Sequence, residues 1–329
     1  MTSSIKPIRK EMDELAVQLL TDFWLTTIKG FVDAAGETKA YQTTRPYLRP
    51  YGMSVALELG NPEIDEHNPL LDLLRILMVS NGSIGMRYSN VEIKSKGACG
   101  EIVFCPVIDS PGIICSFHEE IARGACLVKA PHLDIRIIQT IIGGQPTCRW
   151  VIHSKEDKYE KVCKSESTAS MLPAELPESM MRALAMRFLT ENWTLVLTAM
   201  LDALGEEKTE FVLATRFRRI GESIAPRLLE IQGLGSKGGH QAVVEAIDTF
   251  NTVLHQKGEM IVTGESSTGK VLSSCPFVHS GGLTCHLLHS VLKGICQTID
   301  PSSDVKITRL ECKNSVFCHW MVVSKIKPV

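Results

Sequence analysis

The chain has 329 residues, 35 Lys and Arg against 37 Asp and Glu, and a hydrophobic fraction of 44%. Near-neutral charge with no basic run argues against a nucleic-acid surface, and so large an apolar fraction excludes a wholly unfolded chain. The apolar runs fall short of the ~18 residues a membrane span needs, and the charged amphipathic start carries no hydrophobic signal region. The expectation is a cytoplasmic globular protein with neither a membrane nor a nucleic acid as partner.

In chain order, a long amphipathic helix is predicted first. Leu15, Leu19, Phe23 and Phe31 recur at helical spacing, and Gly36 stands at a C-terminal capping position. Helices over 45–58 and 68–80 follow, then a strand at Glu101-Ile-Val-Phe. A glycine turn leads into a short helix over 115–124. The strand from Asp134, the turn at Gly143-Gly144 and the strand from Cys148 make a closing hairpin. Residues 155–178 are polar, contain Pro173 and Pro177, and read as a linker. The same series then repeats. Leu184, Phe188, Leu195 and Met200 precede Gly205, and helices over 214–232 and 241–256 follow. A strand at Glu259-Met-Ile-Val, a helix over 285–294 and a hairpin from Asp304 and Cys318 complete it.

The repeat is explicit. Cys105, Cys115, Cys126 and Cys148 recur 170 residues later as Cys275, Cys285, Cys296 and Cys318. Gly124 and Trp150 recur at the same offset as Gly294 and Trp320, and Gly52 recurs 169 residues on as Gly221. The chain is read as two tandem modules, 1–154 and 179–329, joined by 155–178. Each is expected to be an antiparallel sheet packed with helices, an α+β fold. Eleven cysteines, an odd number and mostly duplicated, are not a disulfide framework in a cytosolic chain.

The first closing hairpin carries a resemblance. Thr140, Gly143, Gly144, Cys148 and Trp150 stand where the L-2-amino-thiazoline-4-carboxylic acid hydrolase family has a threonine, a glycine turn and Cys-Asp-Phe, with Arg149 in place of the acid. The second, with Glu311-Cys312 and Cys318-His-Trp, is similar to the small-molecule-binding domain named for 4-vinyl reductase. The first family implies a hydrolase that adds water at the C=N carbon of a cyclic amidine. The second implies a non-catalytic ligand-binding module, sometimes with zinc. The zinc pattern wants an acid three residues before Cys312, and Arg309 is there, while Ile142 takes the place of Cys312 in the first module. No metal and no cofactor are expected.

Candidate chemistry gathers at the glycine turn and the helix after it. Cys115 and Cys285 fall in the first turn of that helix, where the dipole lowers a thiol's pKa. His118 and His289 lie three and four residues beyond them, on the same helical face. A cysteine beside a base is the minimum for nucleophilic attack, and Asp109, Glu119 or Glu120 could orient the histidine or deliver a proton. Asp109 is replaced by His279 in the second module, and Glu119 by His289. Cys105, Ser110, Gly112, Cys275, Ser280 and Gly282 are candidates to line a substrate pocket, and turn N–H groups near Gly112 and Gly282 could stabilise developing charge. Each has a plainer alternative: the helix cysteines as packed core, His118 with its acidic neighbours as a solvated face, and Cys126, Cys148, Cys296 and Cys318 as packing.

Gly264-Glu-Ser-Ser-Thr-Gly-Lys270 imitates a phosphate loop, but Val271 replaces the Ser or Thr and a strand follows instead of a helix, so it is not read as a nucleotide site. The expected function is hydrolysis of a cyclic amidine or thiazoline, with small-molecule binding as the alternative. The partner in either case is a small molecule. The sequence leaves the oligomeric state open, a homo-oligomer included.

Overall fold

The computed structural model describes residues 5–61, 68–171, 176–234, 238–264, 267–277, 281–309 and 318–324. The fold is α+β, with two antiparallel sheets packed among helices. Among the described residues no helix is long and apolar enough to cross a membrane.

The first module contributes α1 (Ile5–Ala35), α2 (Glu37–Leu59) and α3 (Pro69–Ser83). Then come β1 (Arg87–Lys94), β2 (Gly97–Phe104), α4 (Ile113–Lys129), β3 (Leu133–Gln139) and β4 (Cys148–Ser154). The segment expected as a linker carries a short helix α5 (Tyr159–Cys163) and a strand β5 (Ser167–Met171). The second module repeats the series as α6 (Glu178–Leu204), α7 (Glu206–Ile231), α8 (His240–Val253), β6 (Lys257–Gly264), β7 (Ser267–Ser274), α9 (Gly282–Ile299), β8 (Ser303–Arg309) and β9 (Cys318–Ser324). Sheet orders are β3-β4-β2-β1-β5 and β6-β7-β9-β8, so the two are one topology with β5 added to the first.

The compact units cut across the sequence modules. One unit holds residues 27–203, and the other holds 1–26 with 204–329. The leading helices are exchanged: the first part of α1 groups with the second module's elements, and α6 with the first module's. Phe23 of α1 stacks on Phe217 of α7 at 5.2 Å. The Trp193 indole N–H of α6 donates to Thr27 at 3.1 Å. The sharp corners after α1 and α6 are made by Gly36 and Gly205, both at φ +80°, a conformation that glycine takes without steric cost.

Within the 27–203 unit, α2 and α4 cross with their backbones touching. A Cβ on Gly52 would lie 1.9 Å from the Ile121 carbonyl oxygen, and one on Gly124 2.2 Å from that of Arg49. A buried carboxylate locks the crossing. Glu120 accepts from Arg49, from Arg123 at 3.0 Å and from Tyr41 at 2.7 Å, with Arg45 at 3.4 Å. Although burial opposes it, this cluster of donors holds the Glu120 carboxyl below its ordinary range. The second module repeats the crossing: a Cβ on Gly221 would meet the Val291 carbonyl oxygen at 2.0 Å, and one on Gly294 that of Arg218 at 2.0 Å.

The sheet faces α4 with the alternating residues Ile135 and Ile137 of β3, Cys148 and Trp150 of β4, and Gly100 and Ile102 of β2. A Cβ on Gly100 would overlap the Trp150 ring at 2.0 Å, so the indole lies across that glycine.

A Gly52→Ala substitution forces the two helices apart and should destabilise the protein by at least about 1–3 kcal/mol, the usual cost of overpacking. Urea unfolding followed by circular dichroism should show a lower midpoint. Gly144→Ala, where φ is +84° and nothing lies within 4 Å of the new methyl, should cost less.

Candidate functional site

Between α4 and the first sheet is a half-open cavity with about 650 Å³ of unfilled space, mouth included. Its helical wall is one stripe of α4: Cys115, His118, Glu119 and Ala122. Its sheet wall is Ile102, Ile135, Ile137, Cys148 and Trp150, with Tyr88 meeting the Trp150 ring edge-on at 6.4 Å. Cys105 and Val107 close one end, and Leu77, Asn81 and Met86 border it from α3 and the approach to β1. Among the described residues the lining carries no carboxylate, lysine or arginine apart from Glu119 and Arg149.

Burial favours the uncharged forms of two thiols and the imidazole in this lining. Burial pushes the Cys115 thiol up to about 12, and Cys148, Cys105 and Glu119 nearby add to the shift. The helix start is expected to lower this pKa, whereas desolvation of the thiolate pushes it the other way. Burial raises Cys105 as well. It pushes the His118 imidazole down to about 4, so the ring is neutral at pH 7. Glu119 borders the cavity, but its oxygens are engaged elsewhere. One accepts the Ile137 N–H at 2.8 Å and the other meets Arg123 at 2.6 Å. Asn81 donates to the Tyr88 hydroxyl at 2.7 Å.

Of the sequence candidates in the first module, the structure gathers Cys105, Cys115, His118 and Glu119 at this cavity and leaves the turn residues outside its lining. Asp109 is exposed. Ser110 is buried, and its hydroxyl has no hydrogen-bond partner among the described residues. Gly112 is exposed at the start of α4, and the Cys115 N–H is already bonded to its carbonyl at 3.1 Å. Cys148, weighed as packing, borders the cavity and takes the Ile141 N–H on its sulfur at 3.1 Å. The Thr140 hydroxyl accepts the Gly143 N–H at 3.0 Å. Of the residues that carry the family resemblance, Thr140 and Gly143 bond within the hairpin turn, while Cys148 and Trp150 stand on the strand that borders the cavity.

The second module has a smaller cavity at the equivalent place, about 460 Å³, lined by Cys275 and Cys285 with Leu288, Leu292, Ile307 and Trp320. Cys285 is buried. His289 is not part of that lining: its Nε2 bonds the Val305 carbonyl oxygen at 2.9 Å, and burial lowers its pKa. Gly282 is exposed, with open space around it. His279, Ser280 and Cys312 lie outside the described residues, and of the Cys318 side chain nothing is described. Lys270, the lysine of the phosphate-loop look-alike, is buried on β7 with Nζ 2.5 Å from Asp248.

The swap of Glu119 for His289 has a structural explanation. β3 and β8 are edge strands whose outer N–H and C=O groups need partners. Glu119 supplies an acceptor to the first and His289 a donor to the second. Sequence reasoning missed Trp150, Tyr88 and Ala122 as cavity walls; the visible signal was the duplicated tryptophan on a strand paired with Gly100.

Among the described residues no group of three or more His, Cys, Asp or Glu side chains is arranged to hold a metal ion. Cys99, Cys105, Cys115, Cys126, Cys148, Cys163, Cys275, Cys285 and Cys296 are in the thiol form, in no disulfide. No protein-family model, no curated protein and no solved structure matches the chain.

Two measurements check this electrostatic picture. Site-resolved alkylation with iodoacetamide should be slow at Cys115 at pH 7.5 and accelerate with pH up to at least 10; fast labelling at neutral pH would contradict the raised thiol. The His118 shift also links to stability. Between pH 6.5 and about 4 the unfolded chain binds a proton that folded His118 refuses. Its contribution is therefore complete above 6.5 and is lost as pH falls towards 4. His118→Gln should make the urea midpoint less pH-dependent in that window.

Proposed function

We propose that the first module is a receptor for a small, uncharged, largely apolar molecule held between α4 and the sheet. The observation that carries this reading is the pairing of a preformed apolar cavity with titratable walls that burial keeps neutral: Cys115 near 12 and His118 near 4. A charged ligand would lose its hydration there without gaining a buried counter-ion. Arg149 borders the cavity but is exposed, in the opposite phase of β4 from the buried Cys148 and Trp150, where water screens its charge.

Calorimetric titration with naphthalene-sized solutes tests the reading. Neutral 1-naphthol should bind and 1-naphthoate should bind at least about tenfold more weakly. Equal affinity for the two, or binding of the anion alone, would sink the uncharged-ligand reading.

A hydrolytic reading rests on a second observation, that Cys115, His118 and Glu119 border one cavity. In it Cys115 or a water adds to the C=N carbon of a cyclic amidine, and the C=N electron pair moves to the ring nitrogen. The nucleophile's proton passes through the neutral His118 imidazole to the ring heteroatom that leaves as its bond to that carbon breaks, and where Cys115 attacks, water then releases the thiol. Turnover of 2-amino-thiazoline-4-carboxylate by the wild type, lost in Cys115→Ser, supports it. No turnover by a protein that binds the neutral probe supports the receptor.

A further inference from the structure

We infer that the protein has one working ligand site rather than two, and that Ala122 and His118 define it, because leucines occupy their places in the second module. This rests on the receptor reading above and deepens it.

The two cavities are built from equivalent positions. Cys105 and Cys275, Cys115 and Cys285, Ile137 and Ile307, and Trp150 and Trp320 stand 170 residues apart in the two linings. The scaffold is held constant by the same glycine crossing in each module, so differences in the walls act directly on the space between them. On the helical wall, Leu288 replaces His118 and Leu292 replaces Ala122. The second exchange adds three carbon atoms on the stripe that faces the sheet. On the sheet, Lys270 replaces Gly100, so a side chain stands where the Trp150 indole has room to lie flat. That lysine is tied to Asp248 of α8, a partner whose counterpart in α3 is Met78.

The consequences run in one direction. The unfilled space, open mouth included in both, is about 650 Å³ in the first module and about 460 Å³ in the second. Cys285 is buried where Cys115 is partly exposed to the void. Leu288 and Leu292 pack at 7% and 4% exposure. A close-packed wall of this kind does not reopen without cost, because filled interiors resist both expansion and cavity formation. The second module keeps the shape of a receptor and has its wall filled from within. The ligand class that follows is an uncharged molecule broad enough to need the room above Ala122 and flat enough to lie against Trp150.

The test is a stoichiometric titration of the full chain with N-phenyl-1-naphthylamine, a neutral apolar fluorophore, followed by its emission. The wild type should bind one equivalent. Ala122→Leu, alone or with His118→Leu, should weaken binding at least about tenfold. Leu292→Ala, in the second module of an otherwise wild-type chain, should raise the stoichiometry to two. This gain cannot come from misfolding, and the urea midpoint of Ala122→Leu separates a filled cavity from an unfolded one. Two equivalents in the wild type, undiminished affinity in a folded Ala122→Leu, or a Leu292→Ala protein that stays at one would each overturn the inference while leaving the receptor reading intact. A wild type that binds no equivalent would instead remove the receptor reading itself.

Discussion

The backbone contact between α2 and α4 at Gly52 and Gly124 sets the geometry of everything above the first sheet. With no Cβ at either position, each helix carries a glycine against a carbonyl oxygen of the other. The contact fixes the height and rotation of α4, so Ile121 and Gly124 turn to α2 while Cys115, His118 and Ala122 turn to the sheet. The Glu120 carboxylate then closes the same contact from the side, held by arginines of α2 and α4 and by Tyr41. Helix packing and cavity shape are thus one constraint, and the repetition at Gly221 and Gly294 explains why the second module keeps the same frame.

On that frame, polar chemistry serves the fold first. Glu119 and His289 look like a catalytic exchange in the sequence, yet each completes an edge strand's backbone hydrogen bonding, one by accepting and one by donating. The cavity is left with thiols, an imidazole and rings. Burial makes the Cys105 and Cys115 thiols harder to ionise and the His118 imidazole harder to protonate, which removes charge that polar catalysis most often uses and leaves a surface suited to an uncharged guest.

Much of this was legible in the sequence, and the reasons it was not complete are physical. The duplication exposed the α+β modules, the corner glycines and the pairs Gly52/Gly221 and Gly124/Gly294, because backbone constraints repeat by residue identity. The exchange of α1 and α6 between units was hidden, since an amphipathic helix shows an apolar face but not which sheet it covers. β1 escaped because charged and polar residues interrupt its Tyr88, Val91 and Ile93, and β5 because Ser167–Met171 is mostly small and polar; both are held by pairing with neighbouring strands. Cys115, His118 and Glu119 were found together because helical spacing places them together, while Cys105, just after β2, was flagged as a strand-end Cys-Pro beside the glycine turn. Asp109, Ser110 and Gly112 were misplaced because a turn adjacent in sequence need not face the same side as the helix it starts.

The account's central claim is that the same frame holds a usable apolar space in one module and a narrower, leucine-filled one in the other. Crystals pressurised with xenon test it most directly, since a polarisable apolar atom enters apolar cavities that water leaves empty. The account predicts a xenon atom between Ala122, Cys115 and Trp150, with the space beside Leu292 and Trp320 empty or far less occupied. Equal occupancy of the two sites, or xenon beside Leu292 alone, would contradict it.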